Sequence, residues 1–431
     1  MRDLSSLTRW CILAPLIFIP LFMNWARDTL QSNSSLDIAT RTLNLERCRA
    51  VMMGVFESAP NLFILLIIVR WFDGTPADKA LVASAGYAGL LLAPLALFVQ
   101  RGLGLTAPRC MCILLATSAV AMTVAGMAQG KTLFTLSAAI AMTLQSASTP
   151  LLTGVYASNI PATLRGRYFS QCSTIRMVIS IAFAAAAGWA LSGRLEMWPA
   201  LIAGYVIVLA VAAWLVQRIP TDASPDQPIT PMLACFALLK SDRVLRETTI
   251  AWNLLGFGNL MMVPLRVEYL ANGQYGLHLS EVDVAMLAST IPNVAKMLTT
   301  GMWGRLFDTM NFFSLRMVLN LSFVLGTLSF FATGSWTLLA LSSVFLGFTT
   351  AGGEVAWNLW VTKFAPPDKA PDYMAVHTFF SGLRGIIAPC VGFFLLQYMP
   401  IQTLSWISAI LMFSSVLVLA RTQKAWQPAD R

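Results

Sequence analysis

Apolar runs of about 17–25 residues recur along the chain, each closed by a short cluster of charged or turn-forming residues. A helix of that length spans roughly 30 Å of hydrocarbon. The strict alternation of apolar and polar positions that marks a membrane-barrel strand is absent, so the runs predict helices. Twelve of them fall at about 51–71, 80–100, 110–128, 132–157, 173–192, 198–217, 248–270, 284–306, 316–333, 336–361, 374–397 and 402–421. Most connections are short. The exception is roughly 218–247, "RIPTDASPDQPITPMLACFALLKSDRVLRE", which is Pro- and Asp-rich and then weakly amphipathic, and which divides the runs into two sets of six.

The expected organisation is therefore an all-α membrane protein of twelve transmembrane helices. An N-terminal extension (1–50) precedes an N-terminal six-helix bundle (51–217), a linker (218–247), a C-terminal six-helix bundle (248–421) and a tail (422–431). The extension carries its own hydrophobic segment, "RWCILAPLIFIPLFMNWAR", broken by Pro15 and Pro20. Residues 10–26 read as an interfacial or loosely inserted segment, with a thirteenth span or an uncleaved signal-like segment as the alternatives. No small-residue cleavage site follows, so a cleaved signal is not expected.

Composition agrees with this pattern. The chain is 57% hydrophobic and 11% charged, where soluble domains are about 25% charged. A net charge of +9 would point to nucleic acid on a soluble domain, but its placement here has another cause. With the segment before the first span put in the cytoplasm, about eighteen Lys and Arg fall on that side. Only Arg70, Lys79, Lys131 and Arg194 fall on the other. The positive-inside rule then places both ends of the twelve-helix core in the cytoplasm of a cell bounded by this cytoplasmic (inner) membrane, and no nucleic-acid partner is needed. The seven cysteines lie mostly in or beside apolar runs without a CxxC pair and read as small buried hydrophobes. His278 and His377 are too few for a His-rich metal site, and no cofactor is expected. No GxxxxGK[ST], HExxH or GxSxG occurs, so nothing points to ATP-driven transport or to an enzyme.

Polar residues three or four apart share a helix face and form stripes inside the runs. They are Glu57 and Asn61; Gln145, Thr149 and Thr153; Ser289, Asn293, Lys296 and Thr300; Thr350, Glu354 and Asn358; and His377, Ser381 and Arg384. Ser, Thr and Asn often bond one helix to another, for roughly 0.6–2 kcal/mol. Ionisable residues differ: a charge at the bilayer centre costs roughly 2.5–3.5 kcal/mol on insertion scales, which makes each a functional candidate by default. Glu57, Glu354, Lys296 and Arg384 are such candidates, with a structural ion pair as the alternative for each. Arg176 reads as snorkelling toward a membrane face, and Arg266 and Glu268 as interfacial. Trp357 and Trp360 flank Asn358 and offer either a stacking surface or interfacial anchors. Gly352 and Gly353, just before Glu354, suit a close helix approach or a bend.

Sliding the chain against itself by 205 residues lays "TPLLTGVYASNIPATLRGRYFSQCST" on "EVAWNLWVTKFAPPDKAPDYMAVHTF". Pro161 meets Pro366, Tyr168 meets Tyr373, Thr149 meets Glu354 and Thr153 meets Asn358. The identity is low, but each half also has six runs. Two related six-span halves are a recurrent transporter architecture, with the substrate site at midplane.

At this point the sequence resembles the major facilitator superfamily. The clearest match is "GRLFDTMN", Gly304 to Asn311, after span 8. Gly304, Leu306 and Asp308 fit that family's loop motif, and Arg305 lies between them. Asn311 stands where the family usually has Gly, and Asn is the next best residue for a left-handed turn. The loop after span 2, "LALFVQRGLGLTAPR", keeps Arg101, Gly102, Gly104 and Arg109 but lacks the Asp, a departure at the position where the family latches its halves. "PATLRGRYF" and "PPDKAPDYM" are similar to the family's connections between spans 4 and 5 and between 10 and 11. The resemblance covers about residues 51–421.

The resemblance implies a secondary transporter that moves a small solute by alternating access. Spans 1, 4, 7 and 10 would line the central cavity, with 2, 5, 8 and 11 beside them. It thereby puts Glu57, Asn61, Thr149, Asn293, Lys296, Glu354, Asn358 and Arg384 on the substrate or proton pathway, and Gly304, Arg305 and Asp308 in a gating loop. A carboxyl such as Glu354 or Glu57 that binds a proton on one side and releases it on the other meets the requirement of proton-coupled transport. A nearby Lys296 or Arg384 would hold that acid ionised. Acids and bases at mid-depth balance, so the solute stays open between an anion, a zwitterion and a neutral polar molecule. The expected partners are that solute, protons and the lipid bilayer, with the protein a monomer. Two readings from other classes remain: a non-transporting membrane sensor or assembly partner, and a lipid flippase.

Overall fold

The computed structural model describes residues 38–220, 237–365 and 370–425, and among them are helices and turns but no strand. The apolar segment at 10–26, most of the linker and residues 426–431 lie outside the described residues. In chain order, α1 (Ile38–Phe56) enters a π-turn at Ala59–Phe63 and continues as α2 (Ile64–Arg70). Then come α3 (Pro76–Gly102), α4 (Ala107–Gly126), α5 (Lys131–Ala147), α6 (Thr149–Asn159), α7 (Ala162–Leu191) and α8 (Trp198–Gln217). Past the linker, the short α9 (Leu238–Ser241) leads into α10 (Arg243–Ala271). α11 (Glu281–Ala285) passes through a π-turn at Met286–Thr290 into α12 (Ile291–Thr309). α13 (Phe312–Phe331), α14 (Trp336–Leu359), α15 (Ala370–Leu395) and α16 (Ile401–Ala425) complete the chain.

Among the described residues, eight helices are individually long and apolar enough to cross a membrane, and the bent α3 makes a ninth if counted as one span. The remaining expected spans fall on interrupted helices, and proline accounts for the interruptions. It lacks the N–H that continues the ladder and its ring crowds the preceding turn. Pro60 lies inside the first π-turn, Pro150 follows the break at Ser148, and Pro292 follows the second π-turn. α3 bends by 48° at the residues flanking Ala93, next to Pro94. Such π-turns are frequent at functional sites.

The outer faces of the helices are apolar. Leu133, Leu136 and Ile140 on α5, and Trp406, Ile410, Phe413 and Leu417 on α16, recur at helical spacing and are each roughly half exposed. In water such stripes would face a core; here they suit lipid, as a multi-pass membrane protein requires.

Two compact units divide the chain. Of the described residues, the first comprises 38–74, 92–220 and 279–286; the second comprises 75–91, 237–278, 287–365 and 370–425. In the first, α4 packs on α8 and α5, α1 packs on α7 and α8, and α11 lies along α7. Arg70 holds the α11 segment: its Nη1 donates to Glu281 Oε1 at 2.7 Å and its Nη2 to the carbonyl of Leu279 at 2.6 Å. In the second, α10 packs on α16 and α15, α12 on α14, and α13 on α16 and α14. There Lys79 pairs with Glu268 at 2.7 Å, and Glu268 is 2% exposed. The Glu268 carboxylate, expected at an interface, is buried against Lys79 and Asn272. Short loops therefore do not fix unit membership, since the first turns of α3 and the segment from Leu279 through α11 each join the unit formed mainly by the other half of the chain.

Asn311 is a correction. Its backbone is extended (φ −61°, ψ 133°), and its side chain accepts from the amides of Phe313 (2.9 Å) and Ser314 (3.4 Å). It is the N-cap of α13 rather than a left-handed turn residue, because a short amide side chain satisfies the free N–H groups of a helix start.

Candidate functional site

In the second unit the site is built from α12 and α14. These helices approach so closely at Gly347 that a Cβ there would sit 2.1 Å from the carbonyl oxygen of Pro292. One turn along α12 and two along α14, that approach brings Lys296 Nζ to 2.5 Å from Glu354 Oε1. The lysine side chain is 13% exposed and the carboxylate 52%, so the acid faces open space while its counter-ion is sunk between helices. Gly352 serves the other side of α14: a Cβ would meet Leu319 at 2.4 Å and Trp303 at 2.7 Å. The close approach expected of the Gly352–Gly353 pair is therefore present, with α14 unbroken through it.

Asn358 is exposed, and its Nδ2 donates to the backbone oxygen of Glu354 at 2.8 Å. Asn293 makes a long contact, 3.4 Å, to Ser289 Oγ within the interrupted helix. Arg384 does not join this group. It is 8% exposed and donates to the carbonyl of Trp252 (2.7 Å) and to Ser381 Oγ (3.0 Å). Of the two cations expected to compete for Glu354, the structure pairs Lys296. Trp357 and Trp360 pack on the His377 ring at 5.4 and 5.3 Å. Trp360 is 1% exposed, so it is a packing residue and neither an interfacial anchor nor a free stacking surface.

In the first unit a cleft of about 210 Å³ opens beside the first π-turn. Glu57, Thr149 and Gln145 line it together with Arg49 and Arg176. Arg176 Nε lies 3.3 Å from Glu57 Oε2, both side chains about two-fifths exposed. Arg176 therefore points into the cleft, which corrects the snorkelling expected of it. Arg49 is itself held by Glu46 through two hydrogen bonds of 2.8 and 2.9 Å. Below the turn, Ser58 Oγ and Tyr205 OH share a buried hydrogen bond of 2.8 Å. Asn61 lies within the π-turn itself.

The loop-motif residues Gly304, Arg305 and Asp308 occupy the last turns of α12. Arg305 and Asp308 are exposed, and a Cβ on Gly304 would meet open space. Arg49 and Arg176 are the residues that sequence reasoning missed as site members, because run boundaries placed them near a membrane face. The signal that marks the site is the set of prolines inside apolar runs. Pro60, Pro150 and Pro292 lie within a few residues of Glu57, Thr149, Asn293 and Lys296. Backbone groups freed at such breaks are tolerated where they are buried in protein or line a water-filled cavity, and transporters use broken helices to build their sites.

Comparison with known proteins agrees with this architecture. The Major Facilitator Superfamily model matches residues 269–430. No curated protein matches the sequence. Among solved structures, a point mutant of the nucleoside transporter NupG aligns with a TM-score of 0.72 at 16% identity, over 89% of this chain and 99% of that one. A D-xylose–proton symporter aligns at 0.66 and 16% identity, over 88% and 96%. A bacterial homologue of the human lysosomal transporter Spinster aligns at 0.63 and 11% identity, over 90% and 98%. At these identities the likeness is one of fold.

Proposed function

With residues 269–430 matching the Major Facilitator Superfamily and the chain carrying the fold of its transporters, we propose a twelve-span secondary active transporter in the cytoplasmic membrane. It moves a small polar solute by alternating access, in two sets of six spans around a linker at 218–247, with the ends of the core in the cytoplasm. The family is one of transporters and not of enzymes. The observation that carries the reading is the coincidence of helix breaks with paired charges. Glu57–Arg176 sits at one break, Thr149 at a second, and Asn293 and Lys296 at a third, with Lys296 reaching Glu354. Interrupted helices near midplane are where transporters of this kind bind solutes and coupling ions.

Glu354 is the leading candidate for carrying a coupled proton. Its carboxylate is open to one side and held by a single ammonium on the other. Protonation would release Lys296, and a solute anion that took Lys296 would favour protonation, which links the two occupancies. Glu57, 3.3 Å from Arg176 in the first unit, is the second candidate. The test is an uptake screen in proteoliposomes, with and without a pH gradient. Glu354→Gln is expected to abolish the effect of the gradient while leaving counterflow exchange intact. Gradient coupling that survives the substitution unchanged would refute the role of Glu354. Flux of lipid but of no soluble solute would favour a flippase, and no flux of either would favour a sensor.

A further inference from the structure

Away from the Lys296–Glu354 pair, the second unit contains a buried cluster of basic side chains that has no salt-bridge partner among the described residues. Arg316 on α13 is 2% exposed, His377 on α15 is 1% exposed, and Arg384 is 8% exposed. The Arg316 guanidinium lies flat over the Trp252 ring, 3.6 Å from its centroid. The same indole meets the His377 ring edge-on at 4.8 Å, and its backbone carbonyl accepts from Arg384. One tryptophan thus joins all three basic groups. Among the described residues no carboxylate forms a salt bridge with any of the three.

The cluster is also short of acceptors. Arg316 Nη1, Arg384 Nε, His377 Nε2, Trp252 Nε1 and Trp360 Nε1 are all buried without a hydrogen-bond partner. Buried donors and unpaired charges are costly, and the four arginine and indole nitrogens among these, gathered around Trp252 and His377, call for an occupant rich in acceptor oxygens. Guanidinium N–H groups donate strongly to oxyanions, and here Arg316 Nη1 and Arg384 Nε are the unpartnered ones; indole N–H groups donate but do not accept. Arg316 lies one turn into α13 and Arg384 midway along α15, so the charges extend inward from a helix end.

We propose that this cluster is an oxyanion site, for the phosphate or carboxylate group of a solute or of an anionic lipid. Glu354 plays no part in it, and it holds whether or not the protein transports that anion.

The test uses the full-length protein in neutral detergent. The midpoint of thermal unfolding is measured against rising sodium phosphate and sodium acetate, with sodium chloride at matched ionic strength. A parallel arm compares phosphatidylcholine vesicles with vesicles containing phosphatidylglycerol. A saturable rise with phosphate or acetate identifies a soluble anion, and a rise confined to phosphatidylglycerol identifies a headgroup. Arg316→Lys and Arg384→Lys keep the charge but lose the Nη1 and Nε donors that stand unpartnered, and each should weaken the apparent affinity by about tenfold or more. Arg243→Gln, an exposed arginine already paired with Glu247, should leave it unchanged. The proposal is overturned if no anion exceeds matched chloride and phosphatidylglycerol does not exceed phosphatidylcholine. It is equally overturned if the two lysine variants respond as the unsubstituted protein does.

Discussion

Removing the carboxylate from the Lys296–Glu354 pair should destabilise the protein more than removing the ammonium. The asymmetry follows from burial, since the lysine side chain is 13% exposed and the glutamate 52%. Glu354→Gln leaves a largely buried ammonium facing a neutral amide. Lys296→Met leaves a carboxylate that is already half in open space. Exposed pairs contribute about 0–1 kcal/mol, whereas breaking a buried pair costs about 3–5 kcal/mol. The half-open geometry places Glu354→Gln at about 2 kcal/mol and Lys296→Met at about 0.5 kcal/mol. The double variant removes both charges and should be less destabilised than Glu354→Gln alone. Equilibrium unfolding in mixed micelles, followed by tryptophan fluorescence, measures all three. The reasoning fails if Lys296→Met costs as much as Glu354→Gln. It also fails if the double variant equals the sum of the singles within about 0.5 kcal/mol, the scatter expected of independent sites.

Three further outcomes are expected. Gly347→Ala pushes a methyl into the Pro292 carbonyl, 2.1 Å from the added Cβ; it should cost about 1–3 kcal/mol as overpacking does, measured as lowered resistance to denaturant. Glu57→Gln and Arg176→Gln break a pair that is about two-fifths exposed on each side, so each should change stability by less than about 1 kcal/mol while lowering solute flux; a large stability loss with flux intact would make the pair structural. Tyr205→Phe removes the buried bond to Ser58 Oγ and should cost about 1 kcal/mol, read from the same unfolding curves.

Several elements follow from local pattern. An apolar run of membrane-spanning length satisfies its own backbone as a helix, and among the described residues eight such helices, or nine with the bent α3, are long and apolar enough to cross a membrane. The 3.6-residue period also fixes which residues share a face. Ser381 bonds both Arg384 and the His377 carbonyl, and Asn358 bonds the Glu354 carbonyl, as their spacings of three and four require. The loop motif at the end of span 8 named a family whose model matches the C-terminal part of the chain.

What lay beyond the sequence depends on distance between helices. Lys296 and Arg384 stand at similar depth by residue count. Which one meets Glu354 is decided by the packing of α12 on α14 at Gly347, an approach that no residue of α12 or α14 encodes alone. Arg176 is read as snorkelling by its place in a run, but a carboxylate on another helix turns it into a cleft. Residues 75–91 and 279–286 belong to units that chain order does not assign them. Periodicity is local and is set by hydrogen bonds four residues apart. Counter-ion choice and unit membership are set by the few places where two backbones come close enough for distant side chains to touch.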